Sequence, residues 1–125
     1  MKLLDTTVAV DYLRGALPAV ALLEELATSR EDLIASELVR FELLAGARGD
    51  ELQVLERFLT ALEWVPVDAE VARIGAWFAR RYRPSHAGID DVDYLIAATA
   101  TLLEAELLTT NVRHFPMLEG LQAAY

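Results

Sequence analysis

The stretch Met1-Lys2-Leu3-Leu4-Asp5-Thr6-Thr7 decides how the rest of the chain is read. An apolar run begins almost at the first residue and stops at an aspartate followed by two hydroxyl side chains. The run is too short for a helix with its own buried face. It suits a strand covered on both sides, as in a parallel sheet. Ligands of open parallel sheets bind beyond the carboxyl ends of the strands, which places Asp5 at the mouth of a site. A second reading makes Asp5 the cap of the following helix, Val8 to Arg14, which Gly15 ends.

Downstream, the same alternation continues. Pro18 opens a helix to about Ser29, with Val20, Leu23 and Leu26 inward. Asp32-Leu33-Ile34-Ala35-Ser36 is a second buried strand, and Ser36 can cap the helix Leu38 to Ala47, stopped near Gly46 and Gly49. A helix from Asp50 to Leu62 carries Leu52, Leu55, Leu59 and Leu62 on one stripe. Trp64-Val65-Pro66-Val67 is a third strand, and its proline indicates a sheet edge. Asp68 caps a helix to Tyr82, with Val71, Ile74, Phe78 and Tyr82 inward. A loop, Arg83 to Gly88, leads to a helix from Asp91 to Leu103. Glu106-Leu107-Leu108-Thr109 is a fourth strand, and Leu118-Glu119-Gly120-Leu121 is the candidate for a short fifth. Strands separated by helices predict an α/β three-layer sandwich with a mainly parallel sheet of four to five strands in one domain.

Composition removes several classes of function. The chain has 125 residues, a formal charge of −9 and no cysteine. Disulfides, thiolate metal sites and a cysteine nucleophile are excluded, and a reducing cytoplasm is the expected setting. No apolar segment approaches the roughly 20 residues that a membrane span needs, and the amino end lacks a signal-peptide pattern. The negative charge argues against nucleic-acid binding through a broad basic surface. It leaves room for an enzyme that touches a few phosphates through metal ions and a local arginine cluster.

Two further acids, Glu42 and Asp93, stand where acids need a reason. Glu42 lies mid-helix with Leu38, Val39, Ala45 and Gly46 at three and four positions, so it is expected to point into packing rather than water. The alternatives are a salt bridge to Arg14, Arg40 or Arg48, or a place at the rim of the packed face. Asp90, Asp91 and Asp93 crowd the first turn of one helix, where one serves as N-cap. Asp93 shares its face with Ile89, Ile96 and Ala97 and is not explained by capping alone. Leu107-Leu108-Thr109-Thr110-Asn111 repeats the grammar of the amino terminus, and Asn111 is either a turn residue or a neighbour of Asp5 at the same sheet edge. Two unit charges about 4 Å apart repel by roughly 4 kcal/mol at an effective dielectric of about 20. Converging carboxylates therefore need cations or protons, and hard oxygen ligands suit Mg²⁺ or Mn²⁺.

With these motifs in order, the chain resembles the PIN-domain ribonucleases, and among them the VapC toxins of bacterial toxin–antitoxin pairs. Leu4-Asp5-Thr6-Thr7 with Tyr12-Leu13-Arg14-Gly15 matches the family's opening. Glu42-Leu43-Leu44-Ala45-Gly46-Ala47 matches its glutamate helix. Asp93-Tyr94-Leu95-Ile96-Ala97-Ala98-Thr99-Ala100 matches its second aspartate block, and Leu108-Thr109-Thr110-Asn111 with His114-Phe115 its closing motif. The resemblance implies a sheet in the order 3-2-1-4-5. It implies a Mg²⁺- or Mn²⁺-dependent endoribonuclease, usually a homodimer, silenced by a small VapB-like antitoxin. It makes Asp5, Glu42 and Asp93 the metal ligands, Thr6 an organiser of the metal's water shell or of phosphate, and Thr109 a support for the strand end. Asn111 stands where many members carry a fourth acid, and Asp91 is a possible substitute for it. The implied chemistry is in-line attack of metal-activated water on an RNA phosphodiester, leaving 5′-phosphate and 3′-hydroxyl ends.

Arg73, Arg80, Arg81 and Arg83 gather with His86 around one helix end. They either favour the helix dipole or form a rim that guides phosphate. Arg14 is read as meeting an acidic group or the antitoxin, Trp77 and Tyr82 as core or dimer-contact residues, and His114 as structural. A partner's basic segment, with an arginine reaching the carboxylates, is the expected mode of inhibition. Competing readings are a PIN-fold binding protein without nuclease activity and a phosphoacceptor domain, although the only lysine, Lys2, lies at the wrong end of its strand. A phosphatase using Asp5 would want an acid at position 7, which is Thr7.

Overall fold

A computed structural model describes residues 1–125 and places four parallel strands in one sheet, ordered β3-β2-β1-β4. The strands are β1 (Lys2–Leu4), β2 (Leu33–Ser36), β3 (Glu63–Val65) and β4 (Glu106–Leu108). Helices α1 (Thr6–Leu13), α2 (Leu17–Ser29), α3 (Glu37–Gly46), α4 (Leu52–Leu59), α5 (Ala69–Tyr82) and α6 (Asp91–Leu103) connect them. Neighbouring residues on a strand face opposite ways. Leu3 and Leu4 are both fully buried, so helices cover β1 on both faces and the sandwich has three layers.

Local chemistry starts the helices. The Ser36 hydroxyl accepts from Leu38 N–H at 3.1 Å at the head of α3, and Asp68 accepts from Val71 N–H at 3.0 Å at the head of α5. Each satisfies a donor that the first turn would otherwise leave unpaired. Pro18 sits in the first turn of α2, where its missing N–H costs nothing. Gly75 lets α5 approach α6, because a Cβ there would stand 2.9 Å from Leu95 Cδ2.

Three expectations need correction. No fifth strand forms over residues 118–121. Leu118 N–H and Leu121 N–H are used in local turns to Phe115 O and Leu118 O, and Gly120 turns the chain at φ 75°. A segment whose donors close on itself has none left for a ladder; only Ala124 N–H returns to the sheet end, at Thr109 O. The third strand ends at Val65, just before Pro66, on the sheet edge as the proline indicated. The helix expected from Asp50 is shorter at both ends, and Leu52 is 40% exposed while Leu55, Leu59 and Leu62 are buried.

Candidate active site

Register builds the centre of the site. Leu4 of β1 pairs with Leu108 of β4, so Asp5 and Thr109 leave the sheet side by side. Asp5 N–H bonds to Leu108 O at 3.0 Å and continues the ladder one residue further. The Asp5 side chain, in a residue only 6% exposed, makes no cap bond to α1. Its Oδ2 instead accepts from Thr109 Oγ1 at 2.6 Å and from Thr7 Oγ1 at 3.3 Å. Thr109 is fully buried, and its hydroxyl oxygen also accepts from Asn111 N–H at 3.0 Å. The capping alternative for Asp5 is therefore not the one the chain adopts.

Glu42 reaches this region from α3. Its Oε1 accepts from Thr6 Oγ1 at 2.8 Å, and none of Arg14, Arg40 or Arg48 bridges it. Contrary to expectation, Glu42 is exposed. Only Val39 and Leu43 of α3 are buried, and the small neighbours Ala45 and Gly46 are themselves open to solvent, so they leave the glutamate uncovered. Arg40 is held by Glu37 at 2.7 Å and lies over the Trp64 ring.

Asp93 comes from the first turn of α6. Asp90 is the N-cap, accepting from Asp93 N–H at 3.1 Å, while Asp93 Oδ2 accepts from Asp90 N–H at 3.4 Å. The same oxygen meets His114 Nδ1 at 2.9 Å. Burial, then the nearby Asp90 charge, push the Asp93 carboxyl up to about 6, and the His114 contact opposes them. His114 belongs to a 3₁₀ turn (Val112–His114) anchored by the buried Phe115. The sequence alone reads His114 as structural, and the fold adds its contact with Asp93. Thr7 was likewise missed as a hydroxyl bridging the ends of β1 and β4, where it accepts from Thr110 N–H at 3.2 Å.

Of the remaining expected residues, Asn111 lies beside Thr109, whereas Asp91, Arg80 and Arg81 are out on the surface. Asn111 is half-buried, and its backbone carries its hydrogen bonds, to Thr109 Oγ1 and from His114 N–H. Asp91 is engaged with Arg83 at 2.5 Å on the open surface. Arg80 and Arg81 are exposed on α5, and the Arg81 guanidinium lies 5.8 Å from the ring centres of Trp77 and Tyr82. Trp77, read as core or a dimer contact, is 53% exposed and so not core.

The three acids share one feature. In Asp5, Glu42 and Asp93, protein donors hold one carboxylate oxygen and leave the other without a partner. Carboxylates that bind metals are commonly oriented in this way. As the side chains stand, no three carboxylate or imidazole groups lie close enough together to enclose one ion. Magnesium does not require such a cage, since it takes one or two carboxylates and completes its shell with water and phosphate. Carboxylate oxygens of this kind are the ligand type that Mg²⁺ and Mn²⁺ take.

A PIN-domain family model matches residues 2–119. The chain belongs to the PIN-domain family. This PIN domain is 62% identical, over the full length of both chains, to Ribonuclease VapC19 of Mycobacterium tuberculosis. It is 39% identical to Ribonuclease VapC10 of the same organism, covering 100% of this chain and 93% of that one. A toxin–antitoxin complex from Klebsiella pneumoniae contains the same fold, with a TM-score of 0.84 at 23% identity, covering 100% of this chain and 98% of the other. The expected strand order holds from β3 through β4. No single helix of the PIN domain is long and apolar enough to cross a membrane.

Proposed function

We propose that this PIN domain is a divalent-metal-dependent endoribonuclease and the toxin of a toxin–antitoxin pair. The names of the VapC relatives support the substrate class, and the Klebsiella complex supports the antitoxin. The observation that carries the chemistry is the Asp5 carboxylate, buried at the joint of β1 and β4 with one oxygen pinned and the other bare. Asp5 and Asp93 are the residues that would hold Mg²⁺ or Mn²⁺, with Glu42 swinging in from its exposed helix. The bound ion supplies charge neutralisation at the phosphate and lowers the pKa of water. Thr109 and Thr7 fix Asp5, Thr6 steadies Glu42, and Asn111 offers a carbonyl oxygen without adding charge. Arg80, Arg81 and Arg83 form a basic rim for RNA, with Arg83 shared by Asp91. A small antitoxin with a basic segment complements the chain's charge of −9. The exposed Phe41 and Trp77 are available to a homodimer contact.

Cleavage of a mixed RNA pool tests this reading. Fragments with 5′-phosphate ends are expected in manganese, none in EDTA, and at least a 100-fold loss, as an order of magnitude (about 3 kcal/mol), for Asp5→Asn. Cleavage unchanged in EDTA or in the variant would refute it. The alternative reading is a PIN-fold binding protein without nuclease activity. Saturable RNA binding with no cleavage in any metal would select that alternative.

A further inference from the structure

One short segment holds both aspartates. At its start, Thr109 donates to Asp5 Oδ2 at 2.6 Å; at its end, His114 meets Asp93 Oδ2 at 2.9 Å. Between them, Asn111 N–H bonds to Thr109 Oγ1 at 3.0 Å and His114 N–H bonds to Asn111 O at 3.1 Å. Phe115, 1% exposed, pins the far end in the core. The turn is therefore a brace between the end of β4 and the start of α6. Without His114, the Asp93 carboxylate keeps only the long 3.4 Å bond from Asp90 N–H and is free to rotate about its side-chain torsions. An ionised carboxylate only accepts, so Nδ1 carries the hydrogen when Asp93 is charged.

We propose that His114 is a positioning residue: its Nδ1–H holds Asp93 Oδ2 so that Oδ1 stays available to a divalent cation, at a distance from Asp5 set by the 109–114 turn. The inference rests on the metal-dependent reading above. Groups that orient a metal's ligands commonly change its affinity by about 10- to 100-fold when removed. Asparagine can place an amide N–H near the position of Nδ1, whereas phenylalanine keeps the ring and loses the donor.

The test is Mn²⁺ affinity of the purified protein, by calorimetry at one fixed pH, for the wild type, His114→Phe and His114→Asn, with thermal unfolding recorded for each. His114→Phe is expected to weaken Mn²⁺ binding about 10-fold or more. His114→Asn is expected to recover most of that loss, with both variants still unfolding cooperatively. Wild-type affinity in His114→Phe overturns the proposal and leaves the nuclease reading standing. Equal losses in the two variants also overturn it, because the N–H donor that asparagine restores would then contribute nothing to binding. If His114→Phe does not fold, His114→Leu takes its place as the variant without a donor: a loss there with recovery in His114→Asn supports the bond, and wild-type affinity there overturns it. A wild type that binds no Mn²⁺ removes the metal reading and this inference together.

Discussion

The end of the sheet and the helices beside it present carboxylates by different means. At the end of β1, Asp5 is short, buried and continuous with the ladder, and a buried threonine donates to it. On α3, Glu42 is long and exposed, and a single threonine bond holds it. On α6, Asp93 is half-buried beside another acid, so its charge is disfavoured where it stands. A strand end fixes a side chain through the backbone. A helix face leaves it to side-chain contacts, which can shift when a cation or substrate arrives.

The contrast can be broken experimentally, beginning with Asp93. Its folded pKa of about 6 lies above the unfolded value of 3.8, so the folded chain binds the proton more tightly. The contribution of Asp93 to metal-free stability is therefore fully present below pH 3.8, falls as pH rises to about 6, and is lost beyond. Asp93→Asn should lack that slope and gain, relative to wild type, up to about 3 kcal/mol between the two limits. Urea melts across pH without metal measure it, and parallel curves for the two proteins would remove the helix side of the contrast.

Thr109→Val comes next. Losing a charge-assisted bond to a buried carboxylate should cost about 2 kcal/mol in a urea melt. On the same helix as Asp93, Tyr94 buries a hydroxyl that has no partner, so Tyr94→Phe should be stabilising by about 1 kcal/mol. The smallest effect is expected for Thr6→Val, within about 0.5 kcal/mol, because its bond to Glu42 is solvent-exposed. Equal losses for Thr6→Val and Thr109→Val would show that the strand end and the helix face do not differ.

Much of the architecture was legible because local signals agreed. Ser36, Asp68 and Asp90 each open a helix by bonding its first donors, and those bonds need no distant partner. The apolar run before Asp5 and the one before Thr109 read correctly as buried strands. Glu42 was misjudged because helical spacing identifies which residues share a face but not what covers that face. The supposed strand at 118–121 failed because its donors close in turns, which composition does not reveal. His114 gave little sign of its partner, which lies 21 residues away in sequence.

The order of residues alone determined the alternation of strands and helices, the helix caps, the absence of sulfur ligands and the identity of the acids. These follow from short-range periodicity, hydrogen bonding within a turn and side-chain chemistry. Tertiary structure decided that Thr109 rather than a helix terminus receives Asp5, that Glu42 faces solvent, and that His114 meets Asp93. Those outcomes depend on strand register and on the path of a tight turn, which bring together groups that no local rule connects.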